Sequence, residues 1–110
     1  MKVETKGHTT TIKDTQGDLT AFLMKITHEH KSFEKHNLII DITHCKSVSV
    51  KEVNAFLPLC KAHKKNKKSF VIVAEDFDFN KASDKLNIVP TKLEAHDIIE
   101  MEEIERDLGF

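Results

Sequence analysis

The residues of this chain that could do chemistry are histidines, cysteines and serines that lie near one another in sequence. His28 and His30 are residues of the type that binds metal ions, but on a helix their side chains would point about 200 degrees apart. Segment 44–49 holds one histidine, one cysteine and two serines, yet the chain has only three glycines and no glycine-rich turn to present a nucleophile. We therefore expect no metal site, no cofactor and no catalytic site, and we interpret His63 and His96 as solvent-exposed.

Ser49 has a structural explanation of its own. Ser49-Val50-Lys51-Glu52 matches the S-x-x-E capping box, in which the serine and glutamate side chains each accept a hydrogen bond from the other residue's backbone amide. The pattern predicts that a helix begins after Ser49. Because free amides and the helix dipole stabilise a phosphate at a helix N-terminus, we treat Ser49 as the first candidate phosphosite and Ser47 as the second.

The strand that precedes Ser49 is the element around which the chain is organised. Leu38, Ile39, Ile40 and Ile42 place aliphatic side chains close together, which is typical of a strand covered on both faces in the middle of a sheet. In the helix that follows, apolar residues recur at steps of three and four, at Val50, Val53, Phe56, Leu57 and Cys60. This spacing predicts one apolar helix face that packs on the sheet.

A second aliphatic strand follows this helix at Ser69–Ala74. Two such strands with a helix between them predict a parallel strand-helix-strand unit. Pro58 interrupts the helix pattern, since its ring removes a backbone donor and clashes with the carbonyl four residues earlier. We expect a kink or a break there, and a helical continuation that runs to Lys65 and is ended by Asn66.

The remaining elements have weaker patterns. Residues 2–7 and 9–13 predict two short strands of low hydrophobicity, which we expect at an edge of the sheet. Asp18 is placed to cap a first helix, and Thr91-Lys92-Leu93-Glu94 repeats the capping box at the start of a last helix, after a short strand at 86–89. The polar stretch after residue 75 predicts a shortened or missing helix. The whole predicts a single α/β domain over residues 1–110, a mixed sheet of about four to five strands covered by three to four helices.

The corner between the central strand and its helix resembles the STAS family, the sulfate-transporter and anti-sigma-factor-antagonist domain. The family pattern is an aliphatic strand ending in Asp-Leu-Ser and, after a linking segment, Asp-Ser-Ser/Thr-Gly-Leu at the start of a helix. Asp41-Ile42-Thr43 stands at the first motif and Val53 at the helix leucine. Ser49-Val50-Lys51-Glu52 replaces the rest of the second motif, so Lys51 occupies the place of the residue that regulated members phosphorylate. The resemblance implies a STAS-like fold.

The resemblance also implies a function. Such family members are non-catalytic regulatory modules in the bacterial cytoplasm that bind a partner, often a kinase-like anti-sigma factor, through the start of the second helix and its neighbouring loops. In this chain the corresponding surface consists of Ser47, Ser49, Val50, Lys51, Glu52 and Asn54. We therefore expect a cytoplasmic interaction module with an unidentified protein partner, such as an anti-sigma-factor-like kinase.

Charge is segregated along the chain, although the net charge is only -1. A basic patch lies at the end of the second helix and consists of Lys61, Lys64, Lys65, Lys67 and Lys68. These lysines could contact several phosphates, but the chain has a single arginine and no Trp or Tyr for base recognition. Electrostatic nucleic-acid binding is therefore an alternative rather than our first expectation. The acidic last helix could be a second docking surface or could simply solvate the protein.

An RNA-processing role is a further alternative. His28-Glu29-His30 matches half of the H-x-H-x-D-H metal motif of the metallo-β-lactamase fold, to which ribonuclease Z belongs, but Lys31-Ser32 stands where Asp and His should follow. A chain of 110 residues is also far shorter than that fold. These departures argue against the activity, whereas an association with such an enzyme is compatible with an interaction module.

Composition and cysteine usage set the remaining expectations. The chain is 39% hydrophobic and 32% charged, which is typical of a globular protein with a well-solvated surface. It has no run of eighteen apolar residues and does not open with a signal peptide, so we expect a cytoplasmic protein without a membrane anchor. Cys45 and Cys60 match no zinc spacing, and we expect both as reduced thiols.

Overall fold

The computed structural model describes residues 1–45, 48–75 and 85–109 of the chain. Five strands in this part form one sheet in the order β1-β2-β3-β4-β5: β1 (Lys2–Lys6), β2 (Thr9–Lys13), β3 (Asn37–Asp41), β4 (Phe70–Val73) and β5 (Asn87–Val89). The helices are α1 (Leu19–His28), α2 (His30–Phe33), α3 (Val50–Asn54), α4 (Leu57–Lys65) and α5 (Lys92–Asp107). β1 is antiparallel to β2 and the other neighbours are parallel, which confirms the predicted α/β class with a mixed sheet.

The central strand lies where its aliphatic sequence predicts. All five residues of β3 are buried, and the strand pairs with β2 on one side and β4 on the other. Ile40 stands opposite Ile12 of β2 and Ile72 of β4. The parallel pairing of β3 and β4, with α3 and α4 between them in sequence, confirms the predicted strand-helix-strand unit.

Helices cover both faces of the sheet, but unequally. We call first face the side packed by α1, α3 and α4, where Phe22, Val53 and Phe56 meet Ile40 and Ile72 of the strands. We call second face the opposite side, where α5 packs. The buried residues of the second face are Ile39, Val71, Val73, Val89, Ala95 and Ile99. Successive strand residues alternate between these two cores because strand side chains point to opposite faces in turn.

The helix after β3 is broken, as the proline predicts. α3 ends at Asn54 and α4 begins at Leu57, so Pro58 lies in the first turn of α4, where its missing amide costs no intrahelical hydrogen bond. Val53, Phe56 and Cys60 of the predicted apolar face are buried, while Val50 and Leu57 are half-buried. Asn66 ends α4.

The two N-terminal strands differ from the prediction in their position in the sheet. Both N-terminal strands were expected at the edge, but only β1 is there, with all five residues exposed. β2 lies between β1 and β3, because Ile12 enters the first-face core and the buried Thr10 hydrogen-bonds Thr5 through its hydroxyl. The expected loss of a helix after residue 75 concerns residues 76–84, which lie outside the described part. No helix among the described residues is long and apolar enough to cross a membrane.

Candidate partner-binding site

The candidate site lies at the edge of the sheet where the parallel strands end. β2, β3 and β4 are parallel, so the loops that leave them meet at their carboxyl ends, which is where α/β folds place binding sites. Asp14, just after β2, donates its backbone amide to the carbonyl of Asp41 at the end of β3, at 3.0 Å. Both aspartate side chains are buried, at 3% and 2% exposure. The site therefore begins with two buried acids on neighbouring strands.

Asp41 holds the turn that leaves the central strand. Its Oδ1 accepts hydrogen bonds from the backbone amide of Thr43 at 3.0 Å and from the Thr43 hydroxyl at 2.7 Å. Its Oδ2 lies 3.6 Å from the ammonium nitrogen of Lys92, which begins α5. The Asp-Ile-Thr segment that carries part of the STAS resemblance thus has a local structural role, because the aspartate closes its own turn and ties it to α5.

Asp14 braces the same loop from the other strand. Its carboxylate accepts hydrogen bonds from the backbone amides of Gln16 and Gly17, at 3.2 and 2.9 Å, and from the thiol of Cys45 at 3.0 Å. Burial alone would raise the pKa of Asp14, but these three hydrogen bonds outweigh burial and lower the pKa. The acid is therefore ionised at neutral pH and fastens the loop after β3 to the loop after β2.

Cys45 is held in its protonated form by the same contact. Burial, the hydrogen bond to Asp14 and the charge of that carboxylate raise the pKa of the Cys45 thiol to about 12. Since the thiolate is the reactive species, this cysteine is a hydrogen-bond donor at neutral pH and a poor nucleophile. Both cysteines are free thiols, with Cys60 buried in the first-face core.

The first turn of α3 follows Ser49. The Ser49 Oγ accepts from the Glu52 amide at 3.1 Å, and the Glu52 carboxylate accepts from the Ser49 amide at 3.1 Å and from the Ser49 hydroxyl at 3.0 Å. The predicted capping box is confirmed. It explains why a helix of five residues starts at this point, because two of its free amides are satisfied before any packing is considered.

The structure places most of the predicted partner-binding residues around this turn. Ser49 and Lys51 are exposed, whereas Val50, Glu52 and Asn54 are half-buried and the intervening Val53 is in the core. Ser47, the second candidate phosphosite and a predicted partner-binding residue, lies outside the described residues. The described residues therefore form one short surface at the carboxyl edge of the sheet.

Three residues that support this surface were not predicted as site residues. Asp14 and Cys45 are 31 positions apart, and no local pattern joins them. Lys92 reaches Asp41 from the start of α5. Residues 14–18 are polar residues and a glycine, which predict a turn. Such a local pattern carries no information about which distant loop the turn will contact.

The lysines of the basic patch line two cavities that share Lys64. Lys64, Lys67 and Lys68 line a cavity of about 510 Å³ together with Arg106 of α5. Glu102 and Glu105 line the same cavity, so basic and acidic segments that are far apart in sequence meet there. Lys61 and Lys65 are exposed and line the second cavity with Lys64. Arg106 donates to the Ser69 hydroxyl at 3.2 Å and to Asn37 Oδ1 at 3.3 Å.

The expectation that His63 is solvent-exposed is wrong, because the C-terminal half of α4 packs its side chain against β4. His63 is fully buried, with its ring 6.1 Å from that of Phe70. Its Nε2 donates to the carbonyl of His36 at 2.7 Å, so its Nδ1 is the acceptor in the 2.9 Å hydrogen bond with Nε2 of His30. Burial lowers the pKa of His63 to about 4. His96, which the sequence also predicts to be solvent-exposed, is exposed.

The histidines do not assemble a metal site in the described part of the chain. His30 turns toward His63, whereas His28 is exposed on α1. Among residues 1–45, 48–75 and 85–109, no three histidine, cysteine or acidic side chains come together as ligands for an ion. The paired histidines instead connect α2, α4 and the start of β3 by hydrogen bonds.

No family model matches this chain, and no curated protein matches it. The resemblance to STAS domains therefore stays a prediction that depends on the Asp-Ile-Thr turn, the capped helix start and the element order. The site itself can be described without it, as a braced loop followed by an exposed helix turn.

Proposed function

We propose that this chain is a non-catalytic protein-interaction module that binds a partner protein through the first turn of α3. The observation that carries the proposal is an exposed, polar helix start at the end of the sheet where two buried aspartates hold neighbouring turns. Ser49 and Lys51 face solvent. Asp41 closes the turn at Thr43 and pairs with Lys92, while Asp14 closes the turn after β2 and accepts a hydrogen bond from Cys45. Turns already held by hydrogen bonds lose less conformational entropy when a partner binds beside them.

The chemistry of the surface also favours binding over catalysis. The Cys45 thiol remains protonated at neutral pH, and the Ser49 hydroxyl is engaged with both the amide and the carboxylate of Glu52. Catalysis by either residue would require a thiolate or a free hydroxyl beside a base. What the turn offers a partner is an ammonium at Lys51, a half-buried valine and a hydroxyl, all within one helical turn.

Phosphorylation of Ser49 is the regulation that this surface suits. A phosphate carries about -1.5 to -2 charges at neutral pH. On Ser49 it would lie beside the Glu52 carboxylate, which is 3.0 Å from the hydroxyl oxygen, so it would repel Glu52 from its capping position. The modification would therefore change both the charge and the shape of the proposed binding surface. A kinase that resembles an anti-sigma factor is the partner class that the STAS resemblance implies.

Affinity purification of the tagged protein from its native cells, at moderate salt and with mass spectrometry of partners and phosphosites, tests this proposal. We expect a stoichiometric protein partner that is lost with Lys51→Glu or Val50→Asp, because both changes alter the exposed turn. The controls are Lys31→Glu on α2 and Met24→Asp on α1, which make the same kinds of change at solvent-exposed residues elsewhere. A partner retained by Lys51→Glu and Val50→Asp, or lost equally with the controls, would contradict the proposal.

The same purification tests the regulation. Phosphate incorporation should disappear in Ser49→Ala and persist in Ser47→Ala if Ser49 is the modified residue. Incorporation that is unchanged in Ser49→Ala would remove the phosphorylation hypothesis while leaving the interaction module intact. A recovered RNA-processing enzyme would identify the association named as an alternative.

Electrostatic nucleic-acid binding is the second candidate, and the cavity lined by Lys64, Lys67, Lys68 and Arg106 is the observation that favours it. Glu102 and Glu105 in the same cavity oppose a continuous phosphate track, which is why it ranks second. This alternative predicts RNA affinity that falls steeply with salt and is lost when Lys64, Lys65, Lys67 and Lys68 are neutralised. The interaction module predicts neither result.

A further inference from the structure

The last helix points most of its large apolar side chains away from the protein. α5 buries Ala95 and Ile99 against the sheet, at 0% and 2% exposure. On its other side Leu93, Met101 and Ile104 are 72%, 62% and 54% exposed. Leu108, which directly follows the helix, is 67% exposed. A single exposed leucine is common on protein surfaces. Four large exposed apolar residues on one helix and its C-cap are typical of an interaction surface.

These four side chains form a stripe opposite the buried face. Successive residues of an α-helix are rotated by about 100 degrees, so Ile104 lies about 180 degrees from Ala95 around the helix axis. By the same geometry Leu93, Met101 and Leu108 lie within about 60 degrees of Ile104. We call Leu93, Met101, Ile104 and Leu108 the outer stripe. α5 therefore has two apolar faces: in the part of the chain that the structure describes, the face that contains Ala95 and Ile99 is buried and the outer stripe is exposed.

Acidic side chains lie within and beside the outer stripe. The exposed acids of α5 are Glu94, Asp97, Glu100, Glu105 and Asp107. By the same rotation Asp97 lies about 20 degrees from Ile104, between Leu93 and Met101 along the helix, whereas the other four acids lie about 40 to 100 degrees from Ile104. The two strong cations of the helix are engaged elsewhere, because Lys92 pairs with Asp41 and Arg106 donates to Ser69 and Asn37. The outward face of α5 is consequently a stripe of four apolar residues that Asp97 interrupts, with negative charge on both sides.

We propose that the outer stripe of α5 docks a basic amphipathic helix of a partner protein. Apolar residues at helical spacing would cover the stripe, and lysines or arginines beside them would meet the acids that flank it. Amphipathic helices that lie on membranes have basic polar faces that attract anionic lipids, which is the opposite of what α5 presents. A second copy of this chain, packed α5 against α5, would bring two rows of carboxylates together.

This docking surface is separate from the one proposed on α3. α3 packs on the first face of the sheet and α5 on the second, so a partner on the outer stripe need not touch Ser49 or Lys51. The module would then hold two proteins at once, one on each side of the sheet. Failure of either surface in its own test leaves the other standing.

Fluorescence anisotropy with a labelled synthetic peptide tests the proposal directly. The probe is a helix of about 18 residues, long enough to be helical, with leucines at positions i, i+3, i+4 and i+7 and lysines elsewhere. The matched probe has the same composition with leucine and lysine alternating, which suits a strand. We expect saturable binding of the helical probe that weakens at least about tenfold in Ile104→Glu and in Met101→Glu, as for central interface residues.

Met24→Glu on α1 is the matched control, because Met24 is a methionine 67% exposed on a helix of the other face. It should bind the helical probe like the unaltered protein. Amide chemical-shift changes in the unaltered protein should map to α5, which keeps the test valid if a variant folds poorly. Equal binding of the alternating probe, or binding that the α5 substitutions leave unchanged, would overturn the proposal.

The same variants test two other candidates for binding to the outer stripe, a second copy of the chain and a lipid surface. A dimer seen by light scattering that Ile104→Glu converts to a monomer would show that a second copy covers the stripe and would overturn the proposal. Cosedimentation with phosphatidylglycerol vesicles that Ile104→Glu abolishes would do the same in favour of a lipid surface. A monomer that does not sediment and binds the helical probe is the expected result.

Discussion

The two faces of the sheet differ in how completely this chain covers them. Among the described residues, the first face has a core of fifteen buried residues from β2, β3, β4, α1, α3, α4 and adjoining segments, whereas the second face has six, packed by α5. On the first face the large apolar residues of the helices mostly point inward, as Phe22, Ile26 and Phe56 do. On the second face the helix buries an alanine and an isoleucine and presents larger residues to solvent.

This difference in buried core indicates that the first face contributes more to the stability of the fold and that the second face has apolar surface available for binding. Burial of apolar area is the main stabilising term in folding, so the larger first-face core should contribute more to stability. The outer stripe, which the described residues leave exposed, adds little to that stability and can contribute to association.

Removal of a core side chain should be more costly on the first face. Phe56 is fully buried, and its ring makes an edge contact with that of Phe22 at 6.4 Å between centroids. Phe56→Ala should lower the free energy of unfolding by about 3 to 5 kcal/mol, and Ile99→Ala by about 2 to 3 kcal/mol, since a single helix layer can relax into the space. Urea denaturation followed by circular dichroism measures both.

Ile104→Ala is the control for the second face, because the side chain is 54% exposed on the same helix. It should change the free energy of unfolding by less than about 0.5 kcal/mol. If Ile99→Ala costs as much as Phe56→Ala, the two faces contribute equally and the contrast is wrong.

Acid should weaken the first face through His63. Its pKa of about 4 in the folded protein lies below the ordinary value of 6.5, so between these pH values the unfolded chain binds a proton that the folded protein excludes. The contribution of His63 to the free energy of unfolding is therefore fully present above about pH 6.5 and is lost as the pH falls toward 4. From pH 7 to pH 4.5 the loss from this group is about 2 to 3 kcal/mol.

His63→Gln provides the comparison, since glutamine does not titrate. The free energy of unfolding measured at half-unit steps from pH 7 to pH 4.5 should fall less in the variant by the stated amount. Asp14 does not confound this window, because its pKa is lowered from 3.8 and its contribution is lost only at lower pH. Parallel curves for the two proteins would show that His63 does not titrate as described.

The caps of the helices on the two faces should differ by a smaller amount. The side chains of Ser49 and Thr91 each accept a hydrogen bond from the backbone amide three residues ahead. At Ser49 the backbone amide also donates to the Glu52 carboxylate, whereas at Thr91 the side chain accepts from the Glu94 amide without the reciprocal bond of the predicted capping box. Ser49→Ala should cost about 1 kcal/mol or slightly more, and Thr91→Ala about 0.5 to 1 kcal/mol. Thermal unfolding followed by circular dichroism measures the pair, and a larger loss for Thr91→Ala would reverse the expected order.

Much of the fold could be predicted from local patterns. Four aliphatic residues in 38–42 predict a buried central strand, S-x-x-E predicts the cap at Ser49, and Pro58 predicts the break, because each depends on neighbours in sequence. The position of β2 could not be predicted in this way. Its threonines have low hydrophobicity, and Thr10 is buried where the strand pairs with β1 on one side and β3 on the other.

The candidate site was predictable in part. The sequence predicts that Ser49, Val50, Lys51 and Glu52 start a helix after a strand, and the structure places them on an exposed turn. The bracing beneath the turn was not predictable, since the contact between Asp14 and Cys45 joins loops that no periodicity relates. His63 was misjudged for the same reason: a histidine among lysines resembles a surface residue until β4 packs against it.

The sequence by itself therefore determined which segments become strands and helices and where the helices begin, because propensity, periodicity and capping act over a few residues. The tertiary structure alone decided which side chain of a segment is covered. α5 shows this most clearly: its apolar residues predict a helix, but the packing of Ala95 and Ile99 on the sheet turned Met101 and Ile104 outward. Which side chains of α5 are buried depends on the space between elements that are distant in sequence. The proposed second docking surface depends on the same packing, because it consists of the side chains left exposed.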